Sequence, residues 1–546
     1  MNKKVIFILI GVISLASCSD DFLERPPLND ISEDTFWTSE EDLYKAVNAV
    51  YNQLPGAGVM YDDGASDNAH AQYPWESAST NIAAGDITSA LDVGWGYTDK
   101  TRANYFLENA DKVTSIGPEL LERYKAEVRF IRAYSYFRMM NKFGSIPLLT
   151  ETKEMNEVDV PRTPQEEVHA FIINELAEVA QILPATYSGG KPNEKGRITK
   201  GAALALKARA HLYAQQWDAA AQAASEVMTL GYDLFQVSPA AVEIEDDYSQ
   251  WVDFSGPQEE AEFLAAIASY EGLFHQRNEG NVEVILDRQY IPQVDAHYLN
   301  TYLPPGTIGG WSSLTPTQSL VDSYWDYQTG QLPTLASAQE RGDWYTSGDE
   351  QFYDQYRNRD PRFYASILFP RAPWNAIEDN FEFEWIKGAS NMSQTGYNFR
   401  KLVDPAIFRE NLDSHSNIIL LRYAEVLLTF AEAKNELEGP SAEVYAALNQ
   451  IRDRAGMPNV DESVYGSKDA LRDLIRNERR IELALEGHRY MDIRRWEIAP
   501  QVMNDINNIE NTRAQSRYWD DRFYLMPVPQ SQIDLSDGIL TQNPGY

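Results

Sequence analysis

Apolar residues recur at spacings of three and four through most of the first 235 positions, the period of a helix that buries one face. Thr38-Ser39-Glu40-Glu41-Asp42 predicts a helix start, with a hydroxyl available to cap free amides and acids at the favourable end of the dipole. Leu43, Val47, Val50 and Leu54 follow at helical spacing. Tyr124 to Phe143 repeats the pattern through Val128, Ile131, Tyr134 and Phe137 and stops at Gly144, before Ile146-Pro147. The clearest unit is a small-residue helix from Ala202 to Tyr213, a turn at Gln215-Gln216-Trp217, and a second helix from Asp218 to Leu230 closed by Gly231. Closely spaced alanines let two helices approach tightly, as in tetratricopeptide-type hairpins. A second hairpin is expected over Ile418–Leu437 and Ser441–Arg454, closed by Gly456 and Pro458. From about Val237 to Asn398 the period fades and Trp, Tyr, Gly, Pro and Asp dominate. The expected fold is mainly α. Helical hairpins at about 38–235 and 400–500 would wrap an irregular, loop-rich region with minor β at about 237–398, and exposed loops there are natural places for binding residues.

The first residues break this pattern. Met1-Asn2-Lys3-Lys4 is a short basic head, and Val5 to Leu15 is an apolar run too short to span a bilayer, which reads as the core of a secretory leader. Leu15-Ala16-Ser17-Cys18 resembles a bacterial lipobox, in which the cysteine becomes the lipidated first residue of the mature chain. Cys18 is the only cysteine, which excludes an intrachain disulfide and any Cys-based metal site. The acidic Ser19-Asp20-Asp21 that follows resembles the tag that sends lipoproteins of Bacteroidetes-type bacteria to the cell surface. Residues 1–17 are thus expected to be removed, leaving one domain over 18–546 on an acidic, Pro-containing tether.

Charge narrows the functional classes. The formal net charge is −35, and the leader carries only Lys3 and Lys4, so the body after it is more acidic still. Such a surface lacks the basic footprint that nucleic acid requires and does not favour adsorption on anionic lipid, so a covalent anchor would have to hold the chain at a membrane.

Candidate catalytic chemistry is sparse. The seven histidines (His70, His169, His211, His275, His297, His415, His488) show no HExxH-type pairing, and there is no phosphate-binding glycine loop or GxSxG elbow. Glu482 and Glu486 lie one turn apart near His488, but Arg476, Arg479, Arg480, Arg489, Arg494 and Arg495 surround them and would oppose a raised carboxyl pKa. The expectation is an arginine–carboxylate network tying helices together, with Arg479 reaching Glu482, and a structural turn at Asp360-Pro361-Arg362. No catalytic residue, metal or cofactor is assigned.

Ordered sequence blocks then carry a resemblance. They include Leu314-Thr315-Pro316-Thr317, Asn358-Arg359-Asp360-Pro361-Arg362-Phe363, Gly396-Tyr397-Asn398, Leu421 to Leu428, Arg454-Ala455-Gly456-Met457-Pro458 and Ile475 to Trp496, ending at Gln542-Asn543-Pro544-Gly545-Tyr546. Trp95 with Tyr97, Arg102-Ala103-Asn104 and the Ala126–Tyr134 helix extend it to the N-terminal half. Together they resemble the SusD (RagB/SusD) family of outer-membrane lipoproteins. The resemblance implies a lid over a SusC-like TonB-dependent transporter, capturing an oligosaccharide or polysaccharide and passing it to the channel. A peptide ligand is the alternative within the same architecture, and a surface glycoside hydrolase or a purely structural transporter subunit are more distant ones.

Binding residues are sought among aromatics outside the helical patterns, because sugar C–H faces lie well on Trp and Tyr rings while Asp, Asn, Gln and Arg pair with hydroxyls. Asp67, Asn68, His70, Tyr73 and Trp75 form one expected loop cluster, and Tyr302 with Trp311 another. Trp374 and Tyr397 are further candidates, whereas Trp95, Trp217 and Trp496 are assigned to packing.

Overall fold

The computed structural model describes residues 36–546 except 92, 154–159, 188–193 and 411–412. The leader, Cys18 and the tether to Ser32 lie outside the described residues. Helix makes up 49% and strand 7%, and no sheet closes, so the class is mainly α.

Helix α1 (Glu40–Tyr51) starts where its signals place it. The Ser39 hydroxyl accepts from the Asp42 amide and the Asp42 carboxylate accepts from the Ser39 amide, a reciprocal capping box. Leu43, Val47 and Val50 face the core, and Leu54 is buried just beyond the helix. Helices α2 (Thr98–Asn109), α3 (Pro118–Phe143), α4 (Gln165–Ile182), α5 (Lys200–Tyr213) and α6 (Trp217–Met228) then pack each on the next. The α5–α6 turn contains Gln215 in the left-handed region at φ 56°, and buried alanines at 202, 203, 208, 210, 220, 223 and 224 line the hairpin seam.

The second hairpin is α8 (Tyr423–Glu438) with α9 (Ala442–Arg454); α8 also packs on α6 and on α10 (Lys468–Glu482), joining the two helical regions. Its expected first five residues are not helical. Ile418–Arg422 is a strand, β6, antiparallel to β2 (Val284–Arg288). β-branched Ile418 and Ile419 suit an extended backbone, and the partner strand supplies hydrogen bonds that no helical turn is needed to satisfy.

The middle region is less loop-like than its composition suggests. It contributes α7 (Pro257–Gly272), with Phe263, Ile267 and Tyr270 buried, and a helix over Ala338–Ser347 opened by a Ser337–Glu340 capping box. Much of its aromatic content packs inward. The Phe363 ring lies 5.0 Å from Phe369 and 5.1 Å from Tyr364, and Trp251 meets Phe369 edge-on at 4.9 Å. Two further short pairings, β1 (Ala69–Ala71) with β3 (Leu314–Pro316) and β4 (Ile367–Leu368) with β5 (Asn398–Phe399), stitch this region together.

Buried charge joins the layers. Glu482 is fully buried and accepts from Arg362 at 2.8 Å, Arg422 at 2.7 Å and Arg454. Glu486 accepts from Arg422 at 2.7 Å and from Lys401 at 2.7 Å. Arg362 also meets Glu478 at 2.6 Å and Asp360 at 2.8 Å, and Asp360 caps the helix that begins at Pro361. Arg479 does not reach Glu482 as expected; it turns to Asp492 at 2.8 Å. Burial works against the Glu482 carboxylate, but Arg454, Arg422 and Arg362 overcome it and hold the group well below the ordinary range, the opposite of what a general acid needs. Among the described residues, no group of His, Cys, Asp and Glu side chains is placed to hold a metal ion.

Candidate functional site

The β1–β3 pairing positions an aromatic ridge. Its register sets Ala71 against Leu314, and the Gln72 amide donates to the Ser313 carbonyl at 2.8 Å, so the segments 72–76 and 302–313 leave the pair side by side. Tyr73 and Trp75 stack at 4.9 Å with 27° between their planes. Tyr302 and Trp311 lie 5.7 Å apart at 37°, and Tyr298, one helical turn before Tyr302, continues the row at 5.9 Å and 36°. The two groups touch through the Tyr73 hydroxyl, which donates to Asn391 Oδ1 at 3.2 Å and lies 3.4 Å from the Trp311 carbonyl. Trp75 is 77% exposed, Tyr298 56% and Trp311 42%, so wide ring surface faces solvent.

The ridge is held from beneath. The Trp311 amide donates to the Thr301 carbonyl and the Ser313 amide to the Tyr302 carbonyl, both at 2.7 Å, folding the loop back over its short helix. This return needs Gly310, where a Cβ would collide with the Pro304 carbonyl. The Ser312 hydroxyl donates to the Asn391 carbonyl at 2.8 Å. Tyr61 packs edge-on against Tyr302 at 6.3 Å and donates to Glu76, whose other oxygen accepts from Ser313 at 3.1 Å. Burial, reinforced by Glu76, pushes the Tyr61 phenol far up, so it stays protonated and remains a donor.

Four expected residues, Tyr73, Trp75, Tyr302 and Trp311, are therefore brought together at one surface. Asn391 and Tyr298 complete the surface and were not singled out from sequence. Tyr298 carried a usable signal in its i,i+4 spacing to Tyr302. Asn391 carried none, since it arrives from a segment about eighty residues downstream.

Burial removes the other five from the surface. Asp67 is 3% exposed and accepts from Arg489 at 2.7 and 2.8 Å and from Arg480 at 2.9 Å. Burial opposes its charge, but Arg480, Arg489 and Arg517 outweigh that and hold the carboxyl well below its usual range. Asn68 is spent on Arg480, which donates to its side-chain oxygen at 2.8 Å. His70 sits between Gln515 and Gln394 at 3.2 Å each, and burial with the nearby Arg517 charge lowers it to about 4, leaving a neutral ring. Trp374 is fully buried, with the Arg400 guanidinium 5.3 Å from its ring. Tyr397 is also fully buried; its hydroxyl donates to Gln318 at 2.6 Å and pairs with Tyr356 at 2.9 Å. The polar groups of Asp67, Asn68, His70 and Tyr397 are spent on protein partners, and the Trp374 and Tyr397 rings are packed inside. Of the rings assigned to packing, Trp496 is buried, while Trp95 and Trp217 are partly exposed against the core.

The sequence comparisons bear on the whole chain. Residues 271–546 match the model of the SusD family. The chain belongs to the SusD family. Residues 21–212 also match the model described as "Starch-binding associating with outer membrane". A SusD-like protein of Formosa agariphila is 24% identical across 100% of this chain and 99% of its own length. The solved structure of a SusD-like protein from Bacteroides fragilis is 30% identical, with a TM-score of 0.78 over 96% of this chain and 100% of that one. A laminarin-binding SusD-like protein shares the fold at a TM-score of 0.61 and 23% identity, covering 93% of this chain and 100% of its own. Among the described residues no helix is long and apolar enough to cross a membrane.

Proposed function

We propose that this SusD-family chain is a non-catalytic surface lipoprotein that captures an oligosaccharide or polysaccharide and delivers it to a SusC-like TonB-dependent transporter. The observation that carries the reading is the solvent-facing ridge of Tyr73, Trp75, Tyr298, Tyr302 and Trp311, whose paired ring faces are inclined by 27–37° and braced by Tyr61, Glu76 and Ser313. Rigid aromatic faces bind sugar C–H surfaces at low entropic cost, and a row of them favours a chain of sugars over one ring. The Tyr73 hydroxyl and the Asn391 side chain meet at the joint between the two ring groups and offer polar atoms there for sugar hydroxyls. Lipidation at Cys18 would keep the body at the outer membrane, and the tether would leave it free to move over a transporter.

Affinity electrophoresis of the chain from Ser19 onward, through gels cast with different polysaccharides, tests this. Retardation by a polysaccharide, weakened by Trp75→Ala and by Trp311→Ala, is the expected result. No retardation, together with no calorimetric response to the matching oligosaccharides, would overturn glycan capture. Steady release of reducing ends from any glycan would overturn the non-catalytic reading.

A further inference from the structure

A cavity elsewhere in the fold shares no lining residue with the ridge. It has a volume of about 440 Å³ and opens between the end of α1, the Gly94-Trp95-Gly96 loop, the start of α2 and the C-terminal half of α3. That size lies within the range of about 300–1,000 Å³ usual for small-molecule sites. Its α3 wall is one helix face, presenting Ile131, Ser135, Arg138 and Lys142 at spacings of four, three and four.

The charge of this cavity runs against that of the chain. Acids outnumber bases by 82 to 47 overall, yet the lining holds Lys100, Arg138 and Lys142 against a single acid, Asp99. Asp99 is already committed, accepting from the Lys100 ammonium at 3.1 Å and from the Ser135 hydroxyl. Lys100 is 3% exposed and spends its remaining protons on the Gly96 carbonyl at 3.0 Å and Ser135 at 2.6 Å. Arg138 is half-buried and has no hydrogen bond or ion pair among the described residues. Burial, with the Arg138 charge adding to it, pulls the Lys100 ammonium down in spite of Asp99. An anion seated here would relieve that repulsion.

Two further features fit a sugar ring. Trp95 is partly exposed on the cavity wall, braced edge-on by Phe143 at 4.9 Å and 87°. Gly94 and Gly96 on either side have nothing within 4 Å of where a Cβ would stand, so no neighbouring atom crowds that side of the loop.

We propose that this cavity is a separate subsite for an acidic sugar unit. The carboxylate of the sugar docks on the guanidinium fork of Arg138, which matches a carboxylate in two parallel hydrogen bonds, and Lys142 and Lys100 add positive potential. The apolar face of the ring lies on Trp95. The site does not depend on the ridge and stands whether or not the ridge binds glycan.

Isothermal titration of the soluble chain at low ionic strength with glucuronate, glucose and inorganic sulfate tests the assignment. Saturable glucuronate binding is expected, with none for glucose, and with affinity unchanged in the Trp75→Ala/Trp311→Ala double variant. Arg138→Gln breaks no ion pair, so it should fold as the parent does and lose at least tenfold in glucuronate affinity. Arg138→Lys, which keeps the charge without the fork, should fall between the two. Absence of glucuronate binding, or equal binding by Arg138→Gln, overturns the proposal. Sulfate binding as tightly as glucuronate overturns the sugar part of it and leaves a simple oxyanion site.

Discussion

Replacing Trp75 by alanine separates a ring that binds from a ring that packs. Trp75 leaves 77% of its surface in solvent. A buried tryptophan covers about 150–250 Å², so roughly a quarter of that, about 40–60 Å², rests on the protein, including the stacked Tyr73 ring. At about 25 cal/mol per Å² this contact stabilises the fold by about 1–1.5 kcal/mol at most, and the true figure is smaller because unfolded chains already bury some apolar surface. The melting temperature should therefore fall by no more than about 2–4 °C. Binding is affected through the ring face offered to ligand. A well-placed aromatic face contributes about 0.5–1.5 kcal/mol beyond area, so affinity should fall about 2- to 12-fold. The loss should be partial, because Tyr73 beneath would present its own face once the indole is gone. Gel retardation gives the affinity ratio and differential scanning fluorimetry the stability. A fall in melting temperature above about 5 °C with unchanged affinity per folded molecule would refute the reasoning and return Trp75 to a packing role.

Four further outcomes follow from the same geometry. Trp374→Ala empties a fully buried site and should cost about 3–5 kcal/mol of stability by chemical denaturation, with glycan affinity of the folded fraction unchanged. Gly310→Ala forces the loop away from the Pro304 carbonyl, so retardation should weaken as in Trp311→Ala, with a stability loss well below that of Trp374→Ala. Burial raises Asp63 to about 7, so the folded state holds a proton that the unfolded state releases near pH 4. Stability should fall as pH rises from about 4 to 7, and Asp63→Asn should flatten that slope in denaturation curves across the window. Glu482 has the opposite sign: its folded pKa is depressed, so its stabilisation is present above about pH 4.3 and lost as pH falls through the folded value. Glu482→Gln leaves Arg362, Arg422 and Arg454 short of a charge partner and should cost about 3–5 kcal/mol at neutral pH, measured by urea unfolding.

Local signals were legible where the physics is local. The Ser39–Asp42 cap, the alanine seam of α5 and α6, and the stop at Gly144 all act within a few residues, and each lies where the pattern put it. The first turn of the second hairpin was misread because Ile418–Arg422 takes its conformation from Val284–Arg288, more than a hundred residues earlier. The same limit governs the candidate site. Tyr73, Trp75, Tyr302 and Trp311 were readable as loop aromatics, and the β1–β3 register that unites them was not. Asp67, Asn68 and His70 carry the residue types of a sugar site, but Arg480, Arg489, Gln394 and Gln515 reach them from over 300 residues away. Residue type gives a group's hydrogen-bonding capacity; only the fold decides whether protein or ligand uses it.

The buried arginines bear on what remains outside. Arg359, Arg362, Arg400, Arg422, Arg452 and Arg479 rank among the largest fully buried side chains. Arg362, Arg400, Arg422, Arg452 and Arg479 each meet a carboxylate, while Arg359 donates to the carbonyls of Gln355, Val321 and Tyr324. Each pair sealed inside is close to neutral, so the excess of acids is carried by an exterior with correspondingly fewer cations to interleave. At physiological salt that field fades over about 8 Å, so it governs approach more than contact. A neutral glycan reaching the Trp75–Trp311 ridge passes it without electrostatic cost. An acidic sugar must be drawn in by a concentrated local source, and a half-buried, unpaired guanidinium beside two ammonium groups in a partly desolvated cavity provides one, because charges there are screened far less than on open surface. The one arginine on that cavity wall is thus better placed to bind an anion than the many that the core has already neutralised.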